Sequence, residues 1–240
     1  MQITTLKKMN KLTILITIFF FNLSIYSQAP RGYYLAAGYS QTTLKSDDLL
    51  NESKPGFFAS VNMLMGYHEN YNYQLELGYK QNNLDVKYVE DDFTEAKTSK
   101  YKYSEINAGL YLNYYILKPE EDEFFVGPQA GVFLSLADPL TPAKGADVTG
   151  QYYLPYLLNE NELTNSSKFN YGVGLGVTGG YNRFRFDLRY SIGMANTLSD
   201  VQVQNYDESN NYTGPTLKGK TSTLTFGISY KVFALGKDRR

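Results

Sequence analysis

The sequence predicts an all-β chain that closes into an eight-stranded antiparallel up-and-down transmembrane β-barrel, with short turns at one end and long loops at the other. Three observations carry this expectation. Eight stretches alternate apolar and polar residues at period two, with Tyr, Phe and Leu concentrated on the apolar side. Their connections alternate short and long along the chain. A basic and then apolar leader of the kind that directs export precedes them. A strand with one side in lipid and the other in a narrow polar lumen needs this period, and tyrosines at the ends of the apolar side suit an interfacial girdle.

Residues 1–27 read as a secretory signal peptide. Lys7, Lys8 and Lys11 form its positive region, Leu12 to Leu23 its apolar region, and Ile25-Tyr26-Ser27 a cleavage site before Gln28. Met9 is an alternative start, because MNKLTILI already holds the charge and the apolar run. A retained membrane helix needs about 20 apolar residues, and this run is shorter. Residues 28–240 then form one outer-membrane barrel domain. Without cysteine, there is no disulfide, thiolate metal site or lipid-modified N-terminal Cys. Removing the leader leaves 20 basic against 24 acidic side chains, which gives no attraction to nucleic acid. No cofactor is implied.

The expected strands run over residues 32–41, 57–67, 71–82, 101–117, 124–136, 168–181, 184–195 and 221–233. The first two alternate less clearly than the rest. In the third, Tyr71, Tyr73, Leu75, Leu77 and Tyr79 face lipid, while Asn72, Gln74, Glu76, Gly78 and Lys80 face inward. The fourth turns Ile106, Leu110, Leu112 and Tyr114 outward, and Glu105, Asn107, Tyr111 and Asn113 inward. The fifth alternates Val126, Ala130, Val132 and Leu134 against Gly127, Gln129, Gly131 and Ser135, and Pro128 calls for a bulge or strand-end position because it donates no ladder hydrogen bond. The sixth sets Tyr171, Val173, Leu175 and Val177 against glycines. The seventh is sharpest, with Phe184, Phe186, Leu188 and Tyr190 against Arg185, Asp187, Arg189 and Ser191. An arginine facing lipid near the midplane costs about 2–4 kcal/mol, so these charges belong in the lumen. The last strand sets Leu224, Phe226, Ile228 and Tyr230 against Thr223, Thr225, Gly227 and Ser229.

Short turns follow the second, fourth and sixth strands, and the segments 42–56, 83–100, 137–167 and 196–220 are long and polar. In outer-membrane barrels the short turns are periplasmic, so an even strand count puts both termini in the periplasm. Eight strands enclose a space that side chains largely fill, and inward glycines make room for large inward neighbours.

The segments YNYQLELGYK, SEINAGLYLNYYIL, FFVGPQAGVFLSL, FNYGVGLGVTGGY and FRFDLRYSIGMANTL resemble the PorT-type outer-membrane β-barrel family of Bacteroidetes. The likeness spans almost all of residues 28–240. It implies insertion in the outer membrane and no single activity, since members range from secretion-associated components to proteins without a known role. One departure is the continuation past Tyr230 to Phe233 and a short basic tail.

The most specific polar constellation is an inward network of Glu76, Asp187, Arg185 and Arg189, with Lys80 and Glu105 paired nearer the long-loop mouth. Buried charges are tolerated when paired and hydrogen-bonded, so a structural plug is expected ahead of a gated ion path. His68, the one histidine, falls in a periplasmic turn, far from the outer rim where a His-dependent membrane enzyme would place its base. Loop acids Glu90-Asp91-Asp92, Glu95 and Asp207-Glu208 lack the spacing of a calcium loop. In the third long loop, Tyr152, Tyr153, Leu154, Tyr156, Leu157 and Leu158 form an apolar segment, which either contacts a partner or else folds back over the barrel mouth or extends the strand wall. The expectation is a non-enzymatic barrel held in outer-membrane lipid that presents loops to a protein or ligand. The alternatives are a narrow channel or secretion-associated component, a loop-carboxylate enzyme, and a soluble lipocalin-type barrel.

Overall fold

The computed structural model describes residues 31–66, 68, 70–90, 95–117, 124–144, 151–155, 158–159, 163–201 and 216–234. In chain order they form β1 (Gly32–Lys45), β2 (Asn51–Met65), β3 (Tyr71–Val89), β4 (Lys97–Tyr114), β5 (Phe124–Ala137), β6 (Thr141–Pro142), β7 (Tyr152–Tyr153), β8 (Leu158–Asn159), β9 (Phe169–Tyr181), β10 (Phe184–Gly193) and β11 (Lys220–Phe233). The long strands β1, β2, β3, β4, β5, β9, β10 and β11 each pair antiparallel with the next, and β11 returns to β1 from Tyr33↔Phe233 to Lys45↔Lys220. The ring is an eight-stranded closed barrel. No sheet edge is left toward lipid, where each unpaired backbone group would cost several kcal/mol.

Within the apolar band, burial alternates along the long strands in the sense that lipid requires. On β10, Phe184, Phe186, Leu188 and Tyr190 are exposed on the outer wall, whereas Arg185, Asp187, Arg189 and Ser191 are buried. A lipocalin-type arrangement would put these faces the other way round. Aromatic rings gather at both ends of the outer wall. Phe184 and Tyr230 meet at 5.3 Å near the short-turn end, and Phe57 and Tyr79 at 6.2 Å near the other.

The strands continue past that second girdle, and there the polarity of both faces inverts. On β3 the outward residues Leu75, Leu77 and Tyr79 give way to Gln81, Asn83, Asp85 and Lys87, while the inward Glu76, Lys80 and Asn82 give way to Leu84, Val86 and Tyr88. β4 repeats the inversion, with outward Ser104, Lys102 and Lys100 backed by inward Tyr103 and Tyr101. β1 does so at Gln41, Thr43 and Lys45, with Leu44 inside. Girdle hydroxyls bond across the boundary: Tyr39 donates to Gln41 at 2.5 Å and Tyr79 to Ser104 at 3.2 Å. A wall bathed in lipid leaves its interior free to be polar, whereas one bathed in water must bury apolar side chains inside.

This inversion corrects the expected strand ends. Segments 42–56 and 83–100, read as long loops, are mostly strand, and only the reach of β1–β4 beyond the apolar band makes them long. At the short-turn end β2 stops at Met65 and β4 at Tyr114, short of the expected 67 and 117, and at the long-connection end β10 stops at Gly193, short of the expected 195. Pro128 sits beside an irregularity. The β4–β5 register ends at Asn113↔Gln129 and resumes shifted by one residue at Leu117↔Val126, while the β9 side runs on through Pro128↔Val177. Val126 bonds toward β4, so Pro128 two residues on points its missing N–H to the same interrupted side. The β9–β10 turn is tight because Asn182 takes a left-handed φ of 56°. Residues 1–27 and the tail from Leu235 lie outside the described residues.

Candidate functional site

The closed ring sets β10 opposite β3, so the long inward side chains of β10 meet those of β3, β4 and β5 across the lumen. Arg189 Nη1 donates to both Glu76 oxygens at 3.0 and 3.1 Å, and its Nε donates to Gln129 at 2.7 Å. The same guanidinium lies 3.7 Å from the centre of the Tyr111 ring. Arg185, 1% exposed, donates from Nη2 to Asp187 at 2.7 Å and to Gln74 at 2.6 Å. Lys80 donates to Glu105 at 3.1 Å across the β3–β4 ladder.

The six sequence-selected charges therefore form three buried ion pairs, Glu76–Arg189, Arg185–Asp187 and Lys80–Glu105. What joins the first two is a set of amides. Gln129 donates to Gln74 at 2.8 Å and to Asn113 at 2.6 Å, Asn113 also accepts from Arg185, and Asn107 donates to Glu76 at 3.1 Å. Sequence reasoning placed these amides inward but stopped at formal charge. Gln74 and Asn107 each stand two residues from a charge in the same inward series, whereas Asn113 and Gln129 have no charge near them in sequence.

Little space remains. A cavity of about 10 Å³ lies beside the network, lined by Ala36, Phe58, Asn62, Lys80 and Ser229, which is room for about one water. The glycines of β4, β5 and β9 accommodate Tyr111: a Cβ at Gly174 would sit 3.0 Å from its ring and 3.2 Å from Arg189. Toward the short-turn end the lumen is closed by buried Tyr34, Leu64, Tyr115 and Phe125, with the last two edge to face at 5.3 Å.

The opposite end is closed by a second, apolar core. Leu44, Leu84, Val86, Tyr101 and Tyr103 of the wall meet Leu140, Tyr153, Leu158, Leu163, Leu198, Val201 and Leu217 of the connections. β7 extends the wall by pairing Tyr88↔Tyr153 and Val89↔Tyr152, and β8 pairs with β7. Tyr153 packs edge-on to Tyr88 and Tyr101 and shares a hydroxyl hydrogen bond with Tyr101. Of the apolar loop segment, Tyr153 and Leu158 are thus buried in this cap, Leu154 is half-buried, and Tyr152 stays 44% exposed; Tyr156 and Leu157 lie outside the described residues.

A closed ring with an apolar outer wall and a charged interior agrees with comparison to known proteins. The family described as "Outer membrane protein beta-barrel domain" matches residues 26–199. The chain belongs to that family. It is an outer-membrane β-barrel of the small eight-strand type. Among solved structures it is similar to Neisserial surface protein A, at 16% identity and TM-score 0.45, over 85% of this chain and 99% of that one. OprG from Pseudomonas aeruginosa is similar at 10% identity and TM-score 0.46, over 86% and 98%. Ail of Yersinia pestis, solved with the heparin analogue sucrose octasulfate, is similar at 13% identity and TM-score 0.39, over 83% and 98%. No curated protein matches the chain.

His68, the loop acids and Lys54 of the outer-membrane barrel lie apart from the lumen network. His68 is exposed between β2 and β3 and stacks on Tyr71 at 4.6 Å, at the short-turn end. Glu90 pairs with Lys97 at 2.6 Å on the surface and Glu95 is exposed, while Asp91, Asp92, Asp207 and Glu208 lie outside the described residues. Lys54 bridges Glu52 at 2.9 Å and Asp85 at 3.5 Å. Its hydrogen bond and charge hold the Glu52 carboxyl below the usual carboxylate range, and the same bond raises Lys54. Among the described residues no group of three or more His, Asp or Glu side chains is placed to hold a metal.

Proposed function

We propose that this chain is a non-enzymatic anchor and binding scaffold, presenting its long-connection end outside the cell to a protein or ligand. The observation that carries this reading is the filled lumen: three neutralised ion pairs, a cavity of about 10 Å³, and apolar closure at both ends. Such a core suits a support better than a conduit. The end beyond the second girdle is organised for contact, with Tyr152 exposed on a cap whose other face is anchored by Tyr153. In this reading residues 1–27 are removed on export, residues 28–240 form the mature barrel, and the short turns and both termini are periplasmic. The sequence likeness to PorT-type barrels favours a place in the cell envelope and is neutral as to role. His68, distant from the cap, argues against His-dependent chemistry there.

Planar-bilayer conductance of the refolded chain tests the scaffold against a channel. The scaffold gives no steady openings; steady openings abolished by Arg185→Gln or Arg189→Gln overturn it. Because the chain has no cysteine, orientation is read by single cysteines. Lys144→Cys is expected to react with an impermeant maleimide on whole cells and Arg183→Cys is not, and the opposite pattern overturns the orientation.

A further inference from the structure

We propose that the junction between the polar lumen and the apolar cap is a binding site for one internal water molecule, held by Asn82 of β3, Tyr103 of β4 and Thr197 of the β10–β11 connection. A cavity of about 10 Å³ lies among these side chains, room for about one water and for nothing larger. Its origin is in the wall. The β2–β3 ladder pairs Phe57 with Gln81 and Lys54 with Asn83, so Pro55 and Gly56 bulge opposite Asn82 and leave it out of the register. Gly56 permits that close approach, since a Cβ there would sit 2.6 Å from the Asn82 Cα. The β1–β2 ladder ends at the same level, at Ser40↔Gly56. Above it, Thr42 and Leu44 of β1 and Asn82 and Leu84 of β3 line the space that remains.

Most of that lining is satisfied by the protein itself. Leu44, Leu84 and Leu140 need no hydrogen bond, and Thr42 Oγ1 lies 2.8 Å from Thr223 Oγ1. Thr221 accepts from Asn170 at 2.8 Å, and Asn83 donates to the Pro55 carbonyl at 2.6 Å. The other three polar side chains differ. None is more than 4% exposed. Among the described residues, neither the nitrogen nor the oxygen of the Asn82 amide has a hydrogen-bond partner, and neither has the hydroxyl of Tyr103 or of Thr197. The Tyr103 hydroxyl lies near the Glu105 carboxylate, which Lys80 already engages. Asn82 and Tyr103 are cross-strand partners, and Thr197 meets them from the cap, so the three groups converge on one cavity.

A buried polar group that lacks a protein partner is ordinarily paired with ordered water, because leaving it unpaired carries the full desolvation penalty. An apolar cavity stays dry, whereas this one offers three of the two to four polar partners that a buried water takes. The amide and both hydroxyls can each donate and accept, so a single water bridges them. The bridge ties the two cores together. The Thr197 N–H donates to the Gly219 carbonyl and its own carbonyl accepts from Ser167, so a water held by Asn82 and Thr197 links β3 to both connections that cross the mouth. This site is independent of the scaffold reading.

The full chain, isotopically labelled at asparagine and refolded in phosphatidylcholine nanodiscs, is tested by NMR transfer of magnetisation from water to the side-chain amides. The Asn82 amide, assigned by its loss in Asn82→Leu, is expected to contact a long-lived water. Thr197→Val keeps the shape and removes one partner, and is expected to shorten the residence time of that water about fivefold, the worth of one hydrogen bond. Thr42→Val, whose hydroxyl is already paired with Thr223, leaves it unchanged. Should Asn82→Leu fail to fold, Asn82→Asp supplies the assignment. An Asn82 amide without a water contact, or a residence time unchanged by Thr197→Val, overturns the site. If replacing sodium with choline at constant ionic strength abolishes the contact or lowers the unfolding midpoint, the occupant is a cation and the water assignment falls.

Discussion

Replacing Arg189 with Met removes the cation that neutralises Glu76 while leaving that carboxylate buried. Breaking a buried pair from one side costs about 3–5 kcal/mol. Two further losses follow from the geometry. The guanidinium 3.7 Å from the Tyr111 ring supplies about 1–2 kcal/mol of cation–π attraction, and Gln129 loses its Arg189 donor at a further cost of about 1 kcal/mol. A total of about 5–8 kcal/mol is comparable with the whole stability of an ordinary domain, about 5–15 kcal/mol. Adding Glu76→Met reverses much of this, because replacing both charges with apolar groups of similar volume is often neutral or stabilising by about 1–4 kcal/mol. The double variant still leaves Gln74 and Asn107 without the carboxylate they donate to. It is therefore expected to lie about 2 kcal/mol or more above Arg189→Met and below the wild type, given about 1 kcal/mol for each lost hydrogen bond. Urea unfolding in phosphatidylcholine vesicles, followed by the circular dichroism of the β-sheet, measures all three proteins. A single variant within about 1 kcal/mol of wild type, or a double variant as costly as the sum of its singles, refutes the claim that this pair is buried and coupled.

Depth in the bilayer sets the next outcome. Leu188→Arg, on the middle of the outer wall, is expected to cost about 2–4 kcal/mol, and Val232→Arg at the short-turn rim no more than about 1 kcal/mol, by the same unfolding measurement. Gly174→Val drives a branched side chain into Tyr111 and Arg189 and is expected to cost about 1–3 kcal/mol, with partial recovery when Tyr111→Leu is added. Tyr153→Ala removes the centre of the cap; hydrogen exchange is expected to speed up at Tyr152–Tyr153 and Leu163–Ser166 while β9 and β10 keep their protection, and loss of protection through the barrel refutes a separable cap.

Much of the barrel was legible because one rule governs each membrane-spanning strand. Arg185, Asp187 and Arg189 between Phe184, Phe186 and Leu188 admit only one placement in lipid, and the inward faces of β3 and β4 follow in register. The strand ends beyond the girdle were not legible for the same reason. At Asn82 the inward residues change from polar to apolar while the backbone alternation continues unbroken into Leu84, Val86 and Tyr88. A reading keyed to apolar-outward strands sees that change of phase as the strand's end. Of the cap, the segment around Tyr153 and Leu158 was legible as one that folds over the mouth or extends the wall, whereas Leu140, Leu163, Leu198, Val201 and Leu217 were not, because they are scattered singly among polar residues and only closure of the ring brings them together. The lumen was legible in its charges and not in its amides, since Gln74, Asn113 and Gln129 carry no formal charge yet make the shortest contacts that link the pairs.

One continuous sheet thus encloses two cores of opposite chemistry. Within the apolar band, the outer wall already satisfies the hydrophobic requirement against lipid, so the interior is free to hold Glu76, Arg185 and Arg189, provided that each is paired. Beyond the band the same strands behave as a water-soluble domain, burying Leu84, Tyr101 and Tyr153 and turning Lys100 and Lys102 outward. The two cores meet near Lys80, Glu105 and Tyr103, where the last ion pair lies directly beneath the first apolar layer. Changes in the connections above this level act on an apolar core that draws its stability from water, and they leave the ion pairs and the closed ladder below intact. Under the proposed scaffold reading, that separation would give the loop end latitude to change while the barrel beneath it stays constant, whereas a channel's function would run through both cores.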